Sequence, residues 1–409
     1  MRLDAARILP QQVGMNFEPP PATTRYLKAA CAFVCFLVLA SNIWTISRWN
    51  ESRGVYDDIC YLRQAHLFQR FGLDGLDTNI VRDDDHYLSA KLKEIGYAAW
   101  NDPAAAPCHS LMPARQKRVM QYPPGTGFAL AIFPAGFQVI PLYVLASICI
   151  FGFALLAIWY ARARSAILLT TAFGLLAIYL MINPTKASYS MAPTMVLCAA
   201  AGFFTPKLFL GETARNRILL SALIGLLIGL GVNFRLPNLF LAAGYGLFFA
   251  GSLLCSRRGE KAETVLQAVV FGAACMMGMA PTLLANAINA GSPFATTYSS
   301  VDATPPEFSL TVIRQYLKDM QFVLLVLACG WTALTLRLRR ETGLRRAALV
   351  TAGNLAVNLA FFVSHPLFTP YYTVPVAMLS LWSLLFGSLL QPAVAVDDRV
   401  LEQAATARS

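Results

Sequence analysis

Asp57 and Asp58 stand side by side about ten residues after a long apolar run ends. Paired carboxylates can supply a general base beside a partner that tunes it, taking a proton from a hydroxyl. Acids at a helix start also complement the helix dipole and cap free N–H groups. From position alone both readings stand. Arg235 is the most isolated charge in the sequence and interrupts the apolar stretch 218–256. Ionisable groups in such surroundings are functional by default, and a guanidinium suits bidentate binding of phosphate. A snorkelling loop arginine is the plainer alternative. Lys186 and His365 are further cations in short gaps, offered either to a phosphate or simply to solvent. The run Asp83-Asp84-Asp85-His86 has oxygen ligands for a hard cation but lacks the spacing and glycine of an EF-hand. A turn capping a helix is its ordinary reading, so a divalent metal is an option and no cofactor is required.

The elements that must position these groups are written in the composition. The chain has 409 residues, 56% hydrophobic and 13% charged. An ordinary soluble domain is about a quarter charged. Runs free of Asp, Glu, Lys and Arg include 29–47, 127–161, 165–185 and 347–396. A membrane span needs roughly 20 apolar residues. The sequence therefore predicts an all-α polytopic membrane protein. A transmembrane β-barrel would carry short alternating segments instead.

The net charge of +11 is a topology signal. Its basic residues cluster in short gaps: Arg162 and Arg164; Lys207, Arg215 and Arg217; Arg257, Arg258 and Lys261; Arg337 to Arg346. Short Lys/Arg-rich loops stay in the cytoplasm, which accounts for the charge without nucleic acid. A Pro-rich cytoplasmic tail over 1–26 leads into a first, uncleaved span. Residues 47–122 then form a long outer loop. Spans are expected near 27–46, 138–160, 165–183, 190–205, 217–234, 236–255, 264–288, 320–336, 346–364 and 370–389, about ten in all. Segment 125–136 is a short, partly inserted helix. Counting it as a full span would invert every later basic cluster. The membrane domain covers 27–390, and 391–409 is a second cytoplasmic tail. The expected location is a bacterial inner membrane with both termini inside and the active site periplasmic.

Within the outer loop, 56–71 and 86–100 carry apolar residues at helical spacing and are expected to lie along the membrane surface. Of nine cysteines, only Cys60 and Cys108 fall in outer loops. They are either a disulfide closing a loop of about fifty residues or two free thiols. Gly225 and Gly229 form a GxxxG that signals close helix packing.

Four patches together resemble GT-C-fold glycosyltransferases, integral membrane enzymes of the protein mannosyltransferase and aminoarabinose transferase superfamily that use polyprenyl-phosphate sugars. Asp57-Asp58-Ile59-Cys60-Tyr61 is similar to the Asp-Glu-x-x-Tyr start of their first outer loop. Tyr122-Pro123-Pro124-Gly125 resembles the corner that opens a short apolar helix. Gly229 to Pro237 looks like the apolar span ending in Arg and Pro. Asn289 to Phe294 with Tyr298 resembles a Gly-Ser/Asn-Pro turn before a tyrosine. The chain departs from the pattern at Asp58, where Glu is commoner, and at Thr369-Pro370-Tyr371-Tyr372, where Arg-Tyr is usual.

The resemblance implies a GT-C-like fold and inverting transfer of a sugar from undecaprenyl phosphate to a glycan, lipid or protein acceptor. It makes Asp57, with Asp58 beside it, the base. It makes Arg235, with Lys186 and His365, the donor-phosphate site, and Tyr61, Tyr122, Tyr298 and Tyr371 substrate contacts. A transporter or flippase of lipid-linked sugars remains an alternative, as does a polysaccharide polymerase or ligase. A transporter predicts broken spans at mid-depth and two repeated halves, and no repeat is seen in the sequence.

Overall fold

The computed structural model describes residues 22–50, 56–182, 188–211, 213–255, 258–298, 306–338, 342–365, 367–369 and 371–391. Most of both predicted tails lies outside them. Helix α1 (Ala22–Ile46) leads into a cap made of α2 (Tyr56–Phe71), α3 (Tyr87–Glu94), an antiparallel hairpin β1–β2 (His109–Met112 and Lys117–Met120) and the short α4 (Gly125–Ala131). The chain continues through α5 (Val139–Tyr160), α6 (Arg164–Tyr179), α7 (Met191–Leu210) and α8 (Ala214–Val232). After these come α9 (Ala243–Cys255), α10 (Arg258–Gly278) and α11 (Ala280–Ala290). The last four helices are α12 (Leu310–Lys318), α13 (Met320–Leu338), α14 (Thr342–Ser364) and α15 (Val374–Leu389).

Among the described residues, seven helices are long and apolar enough to cross a membrane. An eighth span exists if α10 and α11, bent by 53° at their junction, are taken together. α6 and α15 are apolar but shorter. The chain is thus a helical, multi-pass membrane protein. α15 lies at its centre: 14 of its 16 residues are buried. A helix apolar all round belongs inside a bundle rather than at its edge. Its Trp382 meets Phe173 of α6 edge-on at 4.6 Å, and its Phe386 meets Phe203 of α7 at 4.9 Å. α8 and α10 pack backbone to backbone. A Cβ on Gly225 would sit 2.3 Å from the Phe271 carbonyl oxygen, and one on Gly229 would sit 2.1 Å from that of Cys275. The GxxxG therefore does what its spacing predicts.

The helices run so that the basic gaps share one end of the bundle. Lys28 donates to the Trp159 carbonyl at 2.7 Å, Tyr160 faces Phe203, and Arg217 bonds both the Gly211 carbonyl and Glu263. The cap sits at the opposite end. There Asn42 donates to the Ile178 carbonyl, and Arg235, just past α8, reaches Met191 at the start of α7.

Three local expectations are corrected. The second cap helix runs over Tyr87–Glu94 rather than 86–100, because Gly96 at φ 75 turns the chain and Tyr97 N–H bonds back to Leu92. The short inserted helix ends at Ala131, ahead of Pro134, since residues just before a proline leave the helical region. Helix α2 has the predicted bounds but is not a surface helix: ten of its sixteen residues are buried. Cys60 and Cys108 are joined as a disulfide, with their Cα atoms 6.6 Å apart.

Candidate active site

The two adjacent acids of α2 part company. Asp58 is 1% exposed, and its Oδ1 accepts the Tyr189 N–H at 3.0 Å. That bond ties α2 to the segment entering α7. Asp57 is half-buried and lies beside the Tyr122 hydroxyl, which its charge acts on. One turn along, Tyr61 stacks on Tyr122 at 4.9 Å. Tyr298 meets the edge of Tyr122 at 6.4 Å.

Arg235 closes the ring. It is 7% exposed, with its guanidinium carbon 4.7 Å from the centre of Tyr371 and 5.4 Å from that of Tyr372. Nη1 lies 3.0 Å from the Met191 sulfur. Rings facing a guanidinium attract it through their quadrupoles, but they leave its charge uncompensated. Among the described residues no carboxylate pairs with Arg235, so the cation suits an anion from outside. Burial, reinforced for Tyr122 by the Asp57 charge, pushes the hydroxyls of Tyr61, Tyr122, Tyr298 and Tyr371 above the usual tyrosine range. At neutral pH all four are protonated donors. A half-open carboxylate, a set of hydroxyl donors and an uncompensated cation therefore share one site. It can accept a proton at one side and hold an anion at the other.

Backbone contacts bring these distant segments together. The Gly125 N–H donates to the Asn233 carbonyl at 2.7 Å, and a Cβ on Gly125 would lie 2.6 Å from that oxygen. Only glycine lets the Tyr-Pro-Pro-Gly corner approach the end of α8 so closely. The Asn233 amide donates to the Gly278 carbonyl at 2.7 Å, while its oxygen accepts from Thr282 N–H at 3.0 Å. It thus serves backbone groups freed by the α10–α11 bend, as non-helical backbone at depth requires. Asn289 of α11 donates to the Leu76 carbonyl and accepts from Thr78 N–H, and Thr297 donates to the Gln121 carbonyl at 2.7 Å.

All four patches picked out in the sequence, and Tyr371, thus meet at one place. One predicted cation, His365, does not join them here. Lys186 lies outside the described residues. His365 stacks on Phe361 at 5.5 Å, is held below the usual histidine range by burial, and makes no hydrogen bond or ion pair among the described residues.

The three-aspartate run has other duties. Asp83 Oδ1 caps the Leu88 N–H at 2.9 Å and lies 3.7 Å from Arg63 Nε. Asp84 takes both Arg70 nitrogens, and Asp85 bonds His66 at 2.6 Å. Arg70 holds Asp84 below the usual carboxylate range. Among the described residues, no three His, Cys, Asp or Glu side chains are arranged to hold a metal ion.

Sequence reasoning missed a second layer. Arg63, set on the polar face of α2, is wholly buried; it donates to the Thr78 carbonyl at 3.0 Å and the Asn79 carbonyl at 2.9 Å. Its Nη1 also meets His109 Nε2 at 3.1 Å, while His109 Nδ1 faces the Pro107 carbonyl at 2.7 Å. Those partners assign the proton to Nδ1. Burial first, and Arg63 second, push His109 down to about 3. No spacing signal pointed to Arg63, His109, Tyr189 or Asn233. Tyr372 is marked in the sequence only as part of the stretch Thr369-Pro370-Tyr371-Tyr372. Comparison of the chain with protein-family models, curated proteins and solved structures gave no match.

Proposed function

We propose that the protein is an inverting glycosyltransferase of GT-C type, with about ten spans, that moves a sugar from a polyprenyl phosphate to an acceptor hydroxyl. The observation that carries this reading is the meeting of Asp57, beside the Tyr122 hydroxyl, with Arg235, which has no carboxylate partner among the described residues, at one end of the helical bundle. Asp57 takes the proton as the acceptor oxygen attacks the anomeric carbon. The bond from that carbon to the phosphate oxygen breaks on the opposite face, and its electron pair leaves with the lipid phosphate. Arg235 and the tyrosine hydroxyls neutralise the departing phosphate, so the enzyme's work is positioning and charge stabilisation. The acceptor is a glycan, lipid or protein of the cell envelope.

Two features support an outer, periplasmic site in a bacterial inner membrane. The basic gaps gather at the end away from the cap, as cytoplasmic loops do. The cap also carries the Cys60–Cys108 disulfide, which persists in oxidising compartments. The bent α10–α11 pair is the one feature that favours a transporter. Its bend is bonded to Asn233, two residues from Arg235, so it belongs to the site end rather than to mid-depth.

The test is an assay of the purified protein in lipid nanodiscs with a panel of undecaprenyl-phosphate sugars and envelope-derived acceptors. Release of undecaprenyl phosphate with an inverted product is expected, falling at least tenfold in Arg235→Lys, since a point charge cannot replace a planar fork. Movement of intact lipid-linked sugar between leaflets without bond cleavage would establish the transporter instead.

A further inference from the structure

The outer cap holds a cavity of about 440 Å³ that has no part in the site described above. Ligand cavities run from roughly 300 to 1,000 Å³, so this one has room for one or two sugar rings. It is lined from α3 and from the segments before and after that helix. Its floor is apolar: Leu88 and Leu92 are each 2% exposed and Ala106 is 8% exposed. Trp100 stands in the wall, 36% exposed, with the Lys93 ammonium 4.9 Å from its ring centre. The polar part of the wall comes from Asp83, His86, Ser89, Asn101 and Asp102.

The polar groups are held by the backbone and keep capacity to spare. Asp83 Oδ1 accepts from Leu88 N–H and Asp102 Oδ1 from Ala104 N–H at 2.8 Å. An ionised carboxylate offers about four acceptor positions, so both aspartates can take further donors. Asn101 adds both a donor and an acceptor. Among the described residues the lining includes Asp83 and Asp102 but no Lys or Arg, which disfavours phosphate and other anions. An indole ring with an apolar floor, facing fixed acceptors, matches a molecule with one apolar face and a rim of hydroxyls.

We propose that this cavity binds a neutral saccharide, with a sugar face against Trp100 and hydroxyls donating to Asp83 and Asp102. The assignment is independent of the transfer reaction. Should the acceptor be a glycan, the cavity would grip a sugar unit away from the reacting end. Ala106 lies two residues before Cys108, whose disulfide fixes this wall to α2, the helix of Asp57.

The test uses the full chain in nanodiscs, with maltose, lactose and chitobiose as neutral probes and glucose 1-phosphate as the anionic one. Saturation-transfer NMR reads binding. At least one neutral disaccharide should bind, with affinity reduced about tenfold or more in Trp100→Ala. Ser89→Trp, which fills the cavity from its wall, should abolish binding with an unchanged thermal transition. Asp57→Asn should bind as the wild type does, so loss of transfer and loss of binding are read separately. The proposal is overturned if no neutral probe binds, if both cavity variants bind normally, or if glucose 1-phosphate binds more tightly than the disaccharides.

Discussion

Helix α2 turns two charged faces toward two different neighbours. On one face Asp57 meets Tyr122 and Arg235 lies nearby, beneath two rings, with no carboxylate partner among the described residues. On the other, Arg63, His66 and Arg70 are matched by Asp83, Asp85 and Asp84. The first face leaves a guanidinium without a counter-charge among the described residues. The second neutralises its charge internally and fixes the helix in the cap. Density of charge is thus a poor guide to function; what distinguishes a site is charge left without an internal partner.

That contrast can be broken at four places. The largest effect is expected at the opening pair. Asp57→Asn should lower sugar transfer by about 10²–10⁴-fold, the range for a lost general base, with an unchanged thermal transition. Asp58→Ala should instead lower stability by about 1–3 kcal/mol, because it strands the Tyr189 N–H. Equal loss of activity in the two variants, both folded, would erase the distinction between them.

Next comes Arg63→Met, expected to destabilise by about 3–5 kcal/mol because it leaves a buried acceptor set without its cation. Differential scanning fluorimetry reads the loss. Turnover per folded molecule, measured well below the transition, should stay near the wild-type value.

Per pH unit, a smaller effect lies with His109. His109 sits near 3 in the folded protein against an ordinary 6.5. Between those values the unfolded chain binds the extra proton and the folded one does not. Stability from this group is therefore full above pH 6.5 and declines as pH falls toward 3, with a slope of at most about 1.4 kcal/mol per pH unit. A His109→Gln variant should show a flatter stability profile over that window.

The smallest change is expected at Asp84→Asn. Its carboxylate and Arg70 are solvent-exposed, and such pairs contribute little. Neither activity nor the thermal transition should move measurably, and a loss of activity would bring the acidic run back as a metal site.

Legibility in the sequence followed the same division. Long apolar runs and basic gaps gave the helices and their alternation, because membrane spans must satisfy their own backbone and loops must carry the charge. Asp57 and Arg235 stood out as charges set beside or within apolar runs, whereas Tyr122 and Tyr298 were legible only through the resemblance of the motifs that hold them. The parting of Asp57 from Asp58 was not legible. It depends on Tyr189, some 130 residues away, whose N–H reaches one carboxylate and not the other. Arg63 was hidden for a related reason. Amphipathic spacing sorts polar from apolar residues, but it cannot tell a polar face turned to water from one turned to loop carbonyls folded over it.

The cover on Arg235 also sets a timetable. Tyr371 and Tyr372 follow Asp57, Tyr122, Arg235 and Tyr298 in chain order, and they are seated by α15, which must thread into the middle of helices already laid down. During synthesis the growing chain would hold its acid and its guanidinium for some 135 residues before the rings arrive. A half-made molecule therefore lacks the rings over its guanidinium, and the seating of one central helix completes the arrangement.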